Sequence, residues 1–351
     1  MNQLKLIPVK AEKVMAVTIR DIAQHARVSV TTVSRVLNDR PDVKSETREK
    51  VNEAIRQLKY SPNIVARGLV LQRSNVIGFI VPDITNPSFP ELARGIVNKA
   101  REYGYSVMFF DTNHDQRVEK EAIRILRSKQ VDGIILSFNE ANTEELERLK
   151  LEKFPIVQIY RKSSKSVIST IVLDNVSSGY KATNYLISLG HRRIAHISTG
   201  ENVQSGSERL QGYRKALSAA KIPYDPDLVR RGVNSAQAGK VCMTQLLGLP
   251  ADKRPTAVFA CHDVMAAGAY DAIYSAGLSI PEDISLIGHD NNQIAELIHP
   301  KLSTVDTFKY ELGEKGVDLL LEQIGAEEPI KKEVESKTEL IIRGSARVLT
   351  A

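Results

Sequence analysis

Apolar residues recur at helical spacing in three otherwise polar segments of the first 60 residues. We predict helices over residues 19–26, 30–38 and 45–58, with Thr18 and Ser29 as N-caps of the first two. Two short helices joined by a tight turn are typical of a helix-turn-helix, whose second helix enters the major groove of DNA. An ordinary pair of amphipathic helices would show the same periodicity, so the pattern alone leaves both interpretations open.

The segment that follows the third helix, residues 60–69, contains Pro62, which disfavours helix at Ser61. Asn63 or Ser61 could cap a very short helix after the proline. Such a helix has too few turns to be stable alone. We therefore expect it to become ordered only on a partner.

From Asn75 onwards, continuous apolar runs alternate with amphipathic segments, which predicts an α/β fold with parallel sheets. The alternation restarts near residue 175, which suggests two similar subdomains with a ligand in the cleft between them. The predicted strands are 76–81, 106–110, 133–136, 155–159, 193–198, 257–260 and 284–288. The predicted helices are 90–103, 119–129, 143–151, 177–190, 207–220, 236–247 and 263–276.

The composition is that of an ordinary globular protein, with 351 residues, 42% of them hydrophobic and 26% charged, enough for two or three domains. No stretch approaches 18 apolar residues, and residues 1–14 lack the apolar run of a signal peptide, so we expect no membrane span and a cytoplasmic location. Cys242 and Cys261 do not make a disulfide framework, and no Cys/His cluster has zinc spacing. No metal or other cofactor is predicted.

The net charge of +6 is unevenly distributed along the chain. Residues 16–74 hold 11 Lys and Arg against 6 Asp and Glu, and residues 1–15 hold 3 against 1. Residues 75–351 hold 34 against 35. The excess positive charge is thus confined to residues 1–74, as expected of a domain that neutralises DNA phosphates. A charged surface that is only solvated gives no reason for this uneven distribution.

Three segments near the N-terminus resemble the LacI/GalR family of bacterial transcription regulators. They are Val17-Thr18-Ile19-Arg20-Asp21-Ile22-Ala23, Val28-Ser29 with Thr32-Val33-Ser34-Arg35-Val36-Leu37-Asn38, and Tyr60-Ser61-Pro62-Asn63 with Ala66-Arg67 and Leu69. The resemblance continues to about Ser345, through segments such as Arg209-Leu210-Gln211-Gly212-Tyr213 and Ile287-Gly288-His289-Asp290. It implies a repressor of carbohydrate-metabolism genes, with a two-lobed sensor similar to a periplasmic sugar-binding protein.

The resemblance also implies the residues that contact double-stranded operator DNA. Those of the recognition helix are Val30, Thr31, Ser34, Arg35 and Asn38, and contacts with the DNA backbone are implied near Ile19, Lys44 and Thr47. The segment after the proline would be a hinge helix in the minor groove, with Asn63 and Ala66 in the groove and Leu69 as a wedge between base steps. The guanidinium of Arg35 independently suits guanine, and Asn38 could reach a base or a phosphate.

One departure from the family pattern lies in the turn of the helix-turn-helix. Arg27 occupies a position that often holds Gly or Asn, which suit a left-handed backbone. If that conformation is kept, arginine costs on the order of 1 kcal/mol there.

The candidate effector-binding residues follow the ends of strands or loops. They are Asn86, Phe89, Tyr160, Arg161, Arg209, His262, Asp263 and Asp290. The family implies hydrogen bonds to sugar hydroxyls there, although it usually has Asp at the position of Tyr160 and Asn at that of His262. The loss of a carboxylate and the nearby arginines suggest an acidic or phosphorylated sugar. A neutral sugar, with Arg161 turned to solvent, is the alternative.

Catalysis is not expected, because the chain lacks a G-x-G-x-x-G after its first strand, a G-x-x-x-x-G-K-[ST] motif and a G-x-S-x-G elbow. A transported sugar-binding protein is the alternative function, but it would need an export signal and would not carry residues 17–71. We predict structural roles for His191 and for Asp174, the latter as a cap.

We divide the chain into a possible disordered extension (1–15), a helix-turn-helix domain (16–61), a hinge helix and linker (62–74), a two-lobed effector-binding and dimerisation domain (75–345), and a tail (346–351). Lobe crossings are expected near 174–176, 303–308 and 335–338. A recognition helix covers one half-site, so we expect a homodimer on a near-palindromic operator. The chain ends without the extra heptad helix of tetrameric members, which also favours a dimer.

Overall fold

The computed structural model describes residues 17–37, 39–60, 73–137, 143–160, 168–328 and 330–349. The chain forms two compact units, Met1–Ser74 and Asn75–Ala351. The described residues of the first form only helices and connecting turns, and the second contains two six-stranded sheets. The predicted fold class, a helix-turn-helix followed by a two-lobed α/β domain, is confirmed.

The described residues of the first unit form three helices, α1 (Ile19–Ala26), α2 (Val30–Leu37) and α3 (Ser45–Gln57). Thr18 caps α1 as predicted, and its own backbone N–H donates to Asp21 Oδ2 at 2.7 Å, which completes a capping box. Ser29 Oγ accepts a hydrogen bond from the N–H of Thr32 at 3.0 Å, so the second predicted cap is also present. The helices enclose a small apolar core of Ile22, Ala23, Val33, Val36, Val51 and Ala54.

The turn between α1 and α2 has the left-handed backbone expected at Arg27, with φ 53° and ψ 45°. The N–H of Arg27 donates to the carbonyl of Gln24 at 3.3 Å, and that of Val28 to the carbonyl of Ala23 at 3.0 Å. These bonds close the end of α1, so the conformation is maintained although the side chain disfavours it.

The second unit has two lobes, each built on one sheet. The first sheet has the order β11-β5-β4-β3-β1-β2 and the second β12-β10-β9-β8-β6-β7, with every pairing parallel except that of β10 with β12. The strands are β1 (Val76–Val81), β2 (Ser106–Asp111), β3 (Gly133–Leu136), β4 (Ile156–Ile159), β5 (Ser169–Leu173), β6 (Ile194–Thr199), β7 (Val229–Gly232), β8 (Ala257–Ala260), β9 (Ser285–Asp290), β10 (Ser303–Asp306), β11 (Glu333–Ser336) and β12 (Glu339–Ile341).

Nine α-helices cover the sheets in the described part of this unit. They are α4 (Ser88–Glu102), α5 (Gln116–Ser128), α6 (Thr143–Leu151), α7 (Asn175–Ser188), α8 (Gln204–Ala219), α9 (Ala236–Leu247), α10 (Asp263–Ser275), α11 (Gln293–Leu297) and α12 (Lys309–Ile324).

Several elements were not predicted, because their sequences lack a clear apolar period. Strand β5 begins with the buried residues Ser169 and Thr170, whose hydroxyl and N–H donate to the carbonyls of Ile330 and Lys332, just before β11. Helix α12 contains Gly313, which weakens its helical signal. A Cβ at this glycine would lie 2.4 Å from the carbonyl oxygen of Leu92 in α4, so the glycine is required for close helix packing.

The chain passes between the lobes three times. It leaves the first lobe at Asp174, returns between β10 and α12, and crosses again between β11 and β12. Asp174 caps α7 by accepting a hydrogen bond from the N–H of Ser177 at 2.8 Å, as predicted. Residues up to Leu349 remain on the second lobe, since the N–H of Leu349 donates to the carbonyl of Leu189 at 2.8 Å.

His191 and His196 lie in the interior of the second lobe, away from the cleft. His191 lies within hydrogen-bond distance of Thr256, Ser285 and the carbonyl of Arg347, which confirms its predicted structural role. His196 is stacked on Phe259, and its Nδ1 lies 2.9 Å from that residue's carbonyl oxygen. Burial lowers the pKa of His196 to about 3, against the smaller opposing effect of this hydrogen bond. The ring is therefore neutral at physiological pH.

The first prediction concerns Arg27. Arg27→Gly should stabilise the three-helix unit by about 0.5–1 kcal/mol, because glycine adopts the left-handed conformation without the side-chain penalty. The same change at Arg20, inside α1, should destabilise it by about 1 kcal/mol. Hydrogen exchange of α1–α3 amides in the full-length protein measures both. Equal effects of the two substitutions would contradict the strain at Arg27.

The second prediction concerns pH. The pKa of His196 in the folded protein lies below the unfolded value near 6.5. Its contribution to the free energy of unfolding is therefore complete above pH 6.5 and is lost as the pH falls towards 3. His196→Gln should therefore flatten the fall in unfolding free energy between pH 6 and 4 by up to about 1.4 kcal/mol per pH unit. Urea unfolding at several pH values tests this. His299→Gln, at an exposed position, should keep the wild-type slope.

Candidate functional site

The exposed face of α2 carries the side chains predicted to read DNA. Val33 and Val36 are buried in the three-helix core, so Thr31 and Arg35 face outward, Ser34 is half-buried, and Val30 is 43% exposed although it is apolar. A short helix that presents small polar groups and one guanidinium can fit a major groove.

The loop that leads into α3 lies beside this face, where Arg35 forms an ion pair with Asp42 at 3.2 Å. Lys44 is exposed at the N-cap position of α3 and Thr47 is in its first turn, where free backbone N–H groups can bind a phosphate. Ile19 is half-buried against the core. The predicted DNA-binding residues Asn38, Asn63, Ala66 and Leu69 lie outside the described residues.

The second unit contains a cavity of about 920 Å³ between its two lobes. Its lining is mostly apolar, with polar groups from both lobes at the carboxyl ends of strands and the starts of helices. This is the place where ligands bind in doubly wound α/β folds.

The wall from the first lobe contains Asn86, Phe89 and Tyr160, as predicted from the sequence. The rings of Phe89 and Tyr160 meet edge to face with centroids 6.3 Å apart. Tyr160 follows β4 with φ 76°, an unusual backbone conformation for a side chain of this size. Its hydroxyl is buried and has no hydrogen-bond partner among the described residues, and burial raises its pKa, so it remains a donor. Arg161 lies outside the described residues.

The wall from the second lobe contains a buried ionic cluster. The guanidinium of Arg209, which is 3% exposed, donates to Asn175 Oδ1 at 3.0 Å and to the carbonyl of Cys261, and lies 3.7 Å from Asp290 Oδ1. His262 Nδ1 lies 2.8 Å from Asp290 Oδ2, and His289 Nδ1 lies 3.0 Å from Asp290 Oδ1. Three predicted residues, Arg209, His262 and Asp290, are thus brought together by tertiary structure.

Close packing of α7 and α8 holds Arg209 in this position. A Cβ on Gly179 of α7 would lie 2.3 Å from the carbonyl oxygen of Arg209, so only glycine permits this helix separation. Asn175, at the start of α7, then reaches the guanidinium.

The cluster determines the charge of Asp290. Burial alone would raise its pKa, but the charge and hydrogen bond of His262, the hydrogen bond of His289 and the charge of Arg209 hold it well below the usual range. Burial and the charge of Arg209 lower the pKa of His289 to about 3. Asp290 is therefore a carboxylate that faces the cleft beside a neutral His289.

The prediction that Asp263 binds the effector is not supported by its position. Its side chain is fully buried and is not among the residues that line the cavity. Asp263 Oδ1 accepts from the hydroxyl of Thr304 at 2.6 Å, and Oδ2 accepts from the N–H of Asn292 at 2.7 Å. Burial and the charge of Asp290 raise its pKa to about 8. Through these two hydrogen bonds the carboxyl group links β10 to the loop after β9. Both of its oxygens therefore already have partners inside the lobe.

Sequence reasoning missed several polar residues that line the cleft, including Asn175, Thr199 and Gln204. Thr199 ends β6, so the rule that ligand groups follow strand ends would have found it. Strand β5 itself was not predicted, which hid the significance of Asn175.

No group of three His, Cys, Asp or Glu side chains within the described ranges could hold a metal ion. Both cysteines are free and buried. No helix in the described part of the chain is both long enough and apolar enough to cross a membrane.

Two family models match the two units. The model for bacterial regulatory proteins of the lacI family matches residues 18–63, and that for a periplasmic binding protein-like domain matches residues 183–346. The HTH-type transcriptional repressor CytR of Escherichia coli (strain K12) is 38% identical over 338 residues, which cover 95% of this chain and 97% of the relative. This chain belongs to the lacI family.

Solved structures agree with this assignment. The lac repressor dimer bound to operator and the anti-inducer ONPF has a TM-score of 0.83 and 28% identity, and the match covers 95% of this chain and 99% of the neighbour. The transcriptional regulator CelR in complex with cellobiose has a TM-score of 0.69 and 30% identity over 94% of this chain and 99% of the neighbour.

The lacI-family chain is a DNA-binding transcriptional regulator, and these relatives are regulators rather than enzymes. The alternative of a transported sugar-binding protein without DNA function is not favoured, because the lacI-family match includes the helix-turn-helix.

The third prediction concerns the buried cluster. Asp290→Asn should lower the unfolding free energy by about 3 kcal/mol, because it leaves the buried charge of Arg209 without its carboxylate. Asp271→Asn removes the carboxylate of an exposed ion pair, in which Asp271 Oδ2 lies 2.8 Å from Lys240 Nζ. This substitution should have no resolvable effect on the unfolding free energy. Urea unfolding at pH 7 compares the two, and similar losses would show that the charge of Asp290 is not needed inside the lobe.

Proposed function

We propose that this regulator is a repressor of carbohydrate-metabolism genes whose operator affinity depends on a neutral, polyhydroxylated effector bound in the cleft between its lobes. The observation that carries the proposal is the balance of charge on the cleft wall. Two carboxylates, Asp83 and Asp290, and two guanidinium groups, Arg209 and Arg231, are the Asp and Arg side chains of its described lining.

The arginines of the described lining are already engaged. Arg209 is held by Asp290, Asn175 and the carbonyl of Cys261, and Arg231 lies 3.1 Å from Glu201. An acidic effector would have to compete with Asp290 for the guanidinium of Arg209, which is only 3% exposed. This cost favours a neutral effector over the acidic or phosphorylated one suggested by the sequence.

The remaining groups suit a hydroxylated ring. Phe89 and Tyr160 offer aromatic surface on one wall, and the Tyr160 hydroxyl is a donor that lacks a partner among the described residues. Asn86, His262 and Asp290 offer further donors and acceptors for hydroxyl groups. The complex of CelR with cellobiose, a neutral sugar, supports the same assignment.

The DNA partner that we propose is a near-palindromic operator bound by a homodimer. One α2 helix reads one half-site, so two copies are needed for a full site. The structural neighbour that is a lac repressor dimer bound to operator supports this assembly. We also propose that the protein binds chromosomal DNA in the cytoplasm, on the nucleoid. The cleft is proposed to bind its effector without catalysis.

Effector binding would change the relative orientation of the lobes, since both walls contribute contacts. The hinge segments of the two copies would then move together or apart. The coupling free energy expected for such regulation is about 1–3 kcal/mol, and it acts equally on DNA and effector affinity.

The fourth prediction concerns the binding of operator DNA and of the sugar effector. Fluorescence anisotropy with DNA upstream of the protein's own gene should show specific binding, altered about 5- to 150-fold by a neutral sugar and not by its uronic acid or its phosphate. Arg35→Ala should weaken this binding by a similar factor, because it removes a base contact. Arg124→Ala, in the second unit, removes an exposed guanidinium paired with Glu121 and should retain wild-type affinity.

Release or tightening by the acidic sugar alone would overturn the neutral-effector proposal. Specific binding without a response to any sugar would remove the carbohydrate assignment and leave the DNA-binding function. Equal losses in the Arg35 and Arg124 variants would show that Arg35 contributes only general positive charge.

A further inference from the structure

The loop that follows β9 is held in an unusual backbone conformation. Asp290 has φ 110° and Asn291 has φ 52°, so two consecutive residues with side chains occupy the region that favours glycine. Such conformations persist only where the surrounding contacts enforce them. Asp290 also presents its carboxylate to the cleft.

Lys309 supplies the cation that holds this loop. Its ammonium donates to the carbonyl of Asp290 at 2.5 Å and to that of Asn291 at 3.4 Å. It also lies 3.1 Å from Glu91 Oε2. Lys309 is 1% exposed, and a buried ammonium is tolerated only with such partners.

These contacts join the two lobes. Lys309 is the first residue of α12, whose apolar side chains, including Leu312 and Leu320, belong to the core of the first lobe. Glu91 lies in α4 of the same lobe, whereas Asp290 ends β9 of the second lobe. A second contact from α4 reaches the loop, where the hydroxyl of Ser88 donates to Asn292 Oδ1 at 3.4 Å.

We propose that Lys309 is a positioning residue through which the first lobe sets the placement of the Asp290 carboxylate in the cleft. A movement of the lobes would then change the effector site itself, and an effector that binds Asp290 would stabilise one lobe orientation. This coupling rests on the function proposed above, while the positioning of Asp290 by Lys309 does not.

The side chains around Asp290 provide a direct readout. His262 and His289 both contact its carboxylate, at 2.8 Å and 3.0 Å. A shift of the carboxylate changes the hydrogen bonds of both rings, and the nitrogen chemical shifts of histidine report such bonds and the tautomer.

The test uses full-length protein with ¹⁵N-labelled histidine, without DNA or effector. The signals of His262 and His289 are assigned with the variants His262→Asn and His289→Gln. In Lys309→Met, which keeps the length of the side chain and removes its charge, both signals should shift. Glu91→Gln keeps the ammonium and should produce a smaller shift of the same sign.

Leu320→Ala is the matched control, because it removes a fully buried contact of α12 within the first lobe. It should lower the unfolding free energy while the signals of His262 and His289 remain at their wild-type positions. Wild-type signals in Lys309→Met, or equal shifts in Leu320→Ala, would overturn the proposal.

If Lys309→Met does not fold, Glu91→Gln tests the positioning of Asp290 by Lys309. Glu91 is about half exposed, so its replacement leaves the interior filled. Wild-type signals in that variant would then reject the Lys309 link. The absence of binding to any sugar in the anisotropy experiment would reject the proposed effector and would leave these signals unaffected.

Discussion

The buried pairing of Asp290 with Arg209 is the interaction on which the effector cleft depends. Asp290 ends a central strand, and Arg209 lies on a helix that glycine brings close to its neighbour. Each charge would be costly in the interior without the other. Their mutual neutralisation permits polar groups in the wall of a largely apolar cavity. Arg231, the other arginine of the described wall, lies beside Glu201, so both guanidinium groups have a carboxylate partner. This is why we favour a neutral effector.

The DNA-binding unit follows a different principle, since its structure depends largely on local contacts. Capping by Thr18 and Ser29 fixes the starts of two helices that would be too short to be stable alone. A few apolar residues then hold the three helices together. Arg27 adopts a strained left-handed conformation in the turn, which lowers the stability of this unit, and the fold does not require an arginine there.

Regulation requires that the two lobes and the effector influence each other, and Lys309 offers a physical link. A single ammonium binds a carboxylate of the first lobe and two carbonyls of the second. Those carbonyls belong to the residue that faces the cleft and to its neighbour. Lobe orientation and the shape of the site would therefore be parts of one equilibrium, as linkage requires for an allosteric protein.

The sequence by itself determined the three short helices with their caps and most strands and helices of the lobes, because these follow from periodicity and local backbone preferences. The helix-turn-helix and the left-handed turn at Arg27 were expected from the resemblance to the LacI/GalR family. Strand β5 was not predicted because its first residues are polar and are buried only through tertiary hydrogen bonds. Helix α12 was not predicted because one of its glycines is explained only by close packing against another helix. Only the tertiary structure decided which strand-end residues meet. It brought Arg209 to Asp290, turned Asp263 inward and placed Lys309 between the lobes, since each contact joins segments distant in sequence whose pairing no local pattern records.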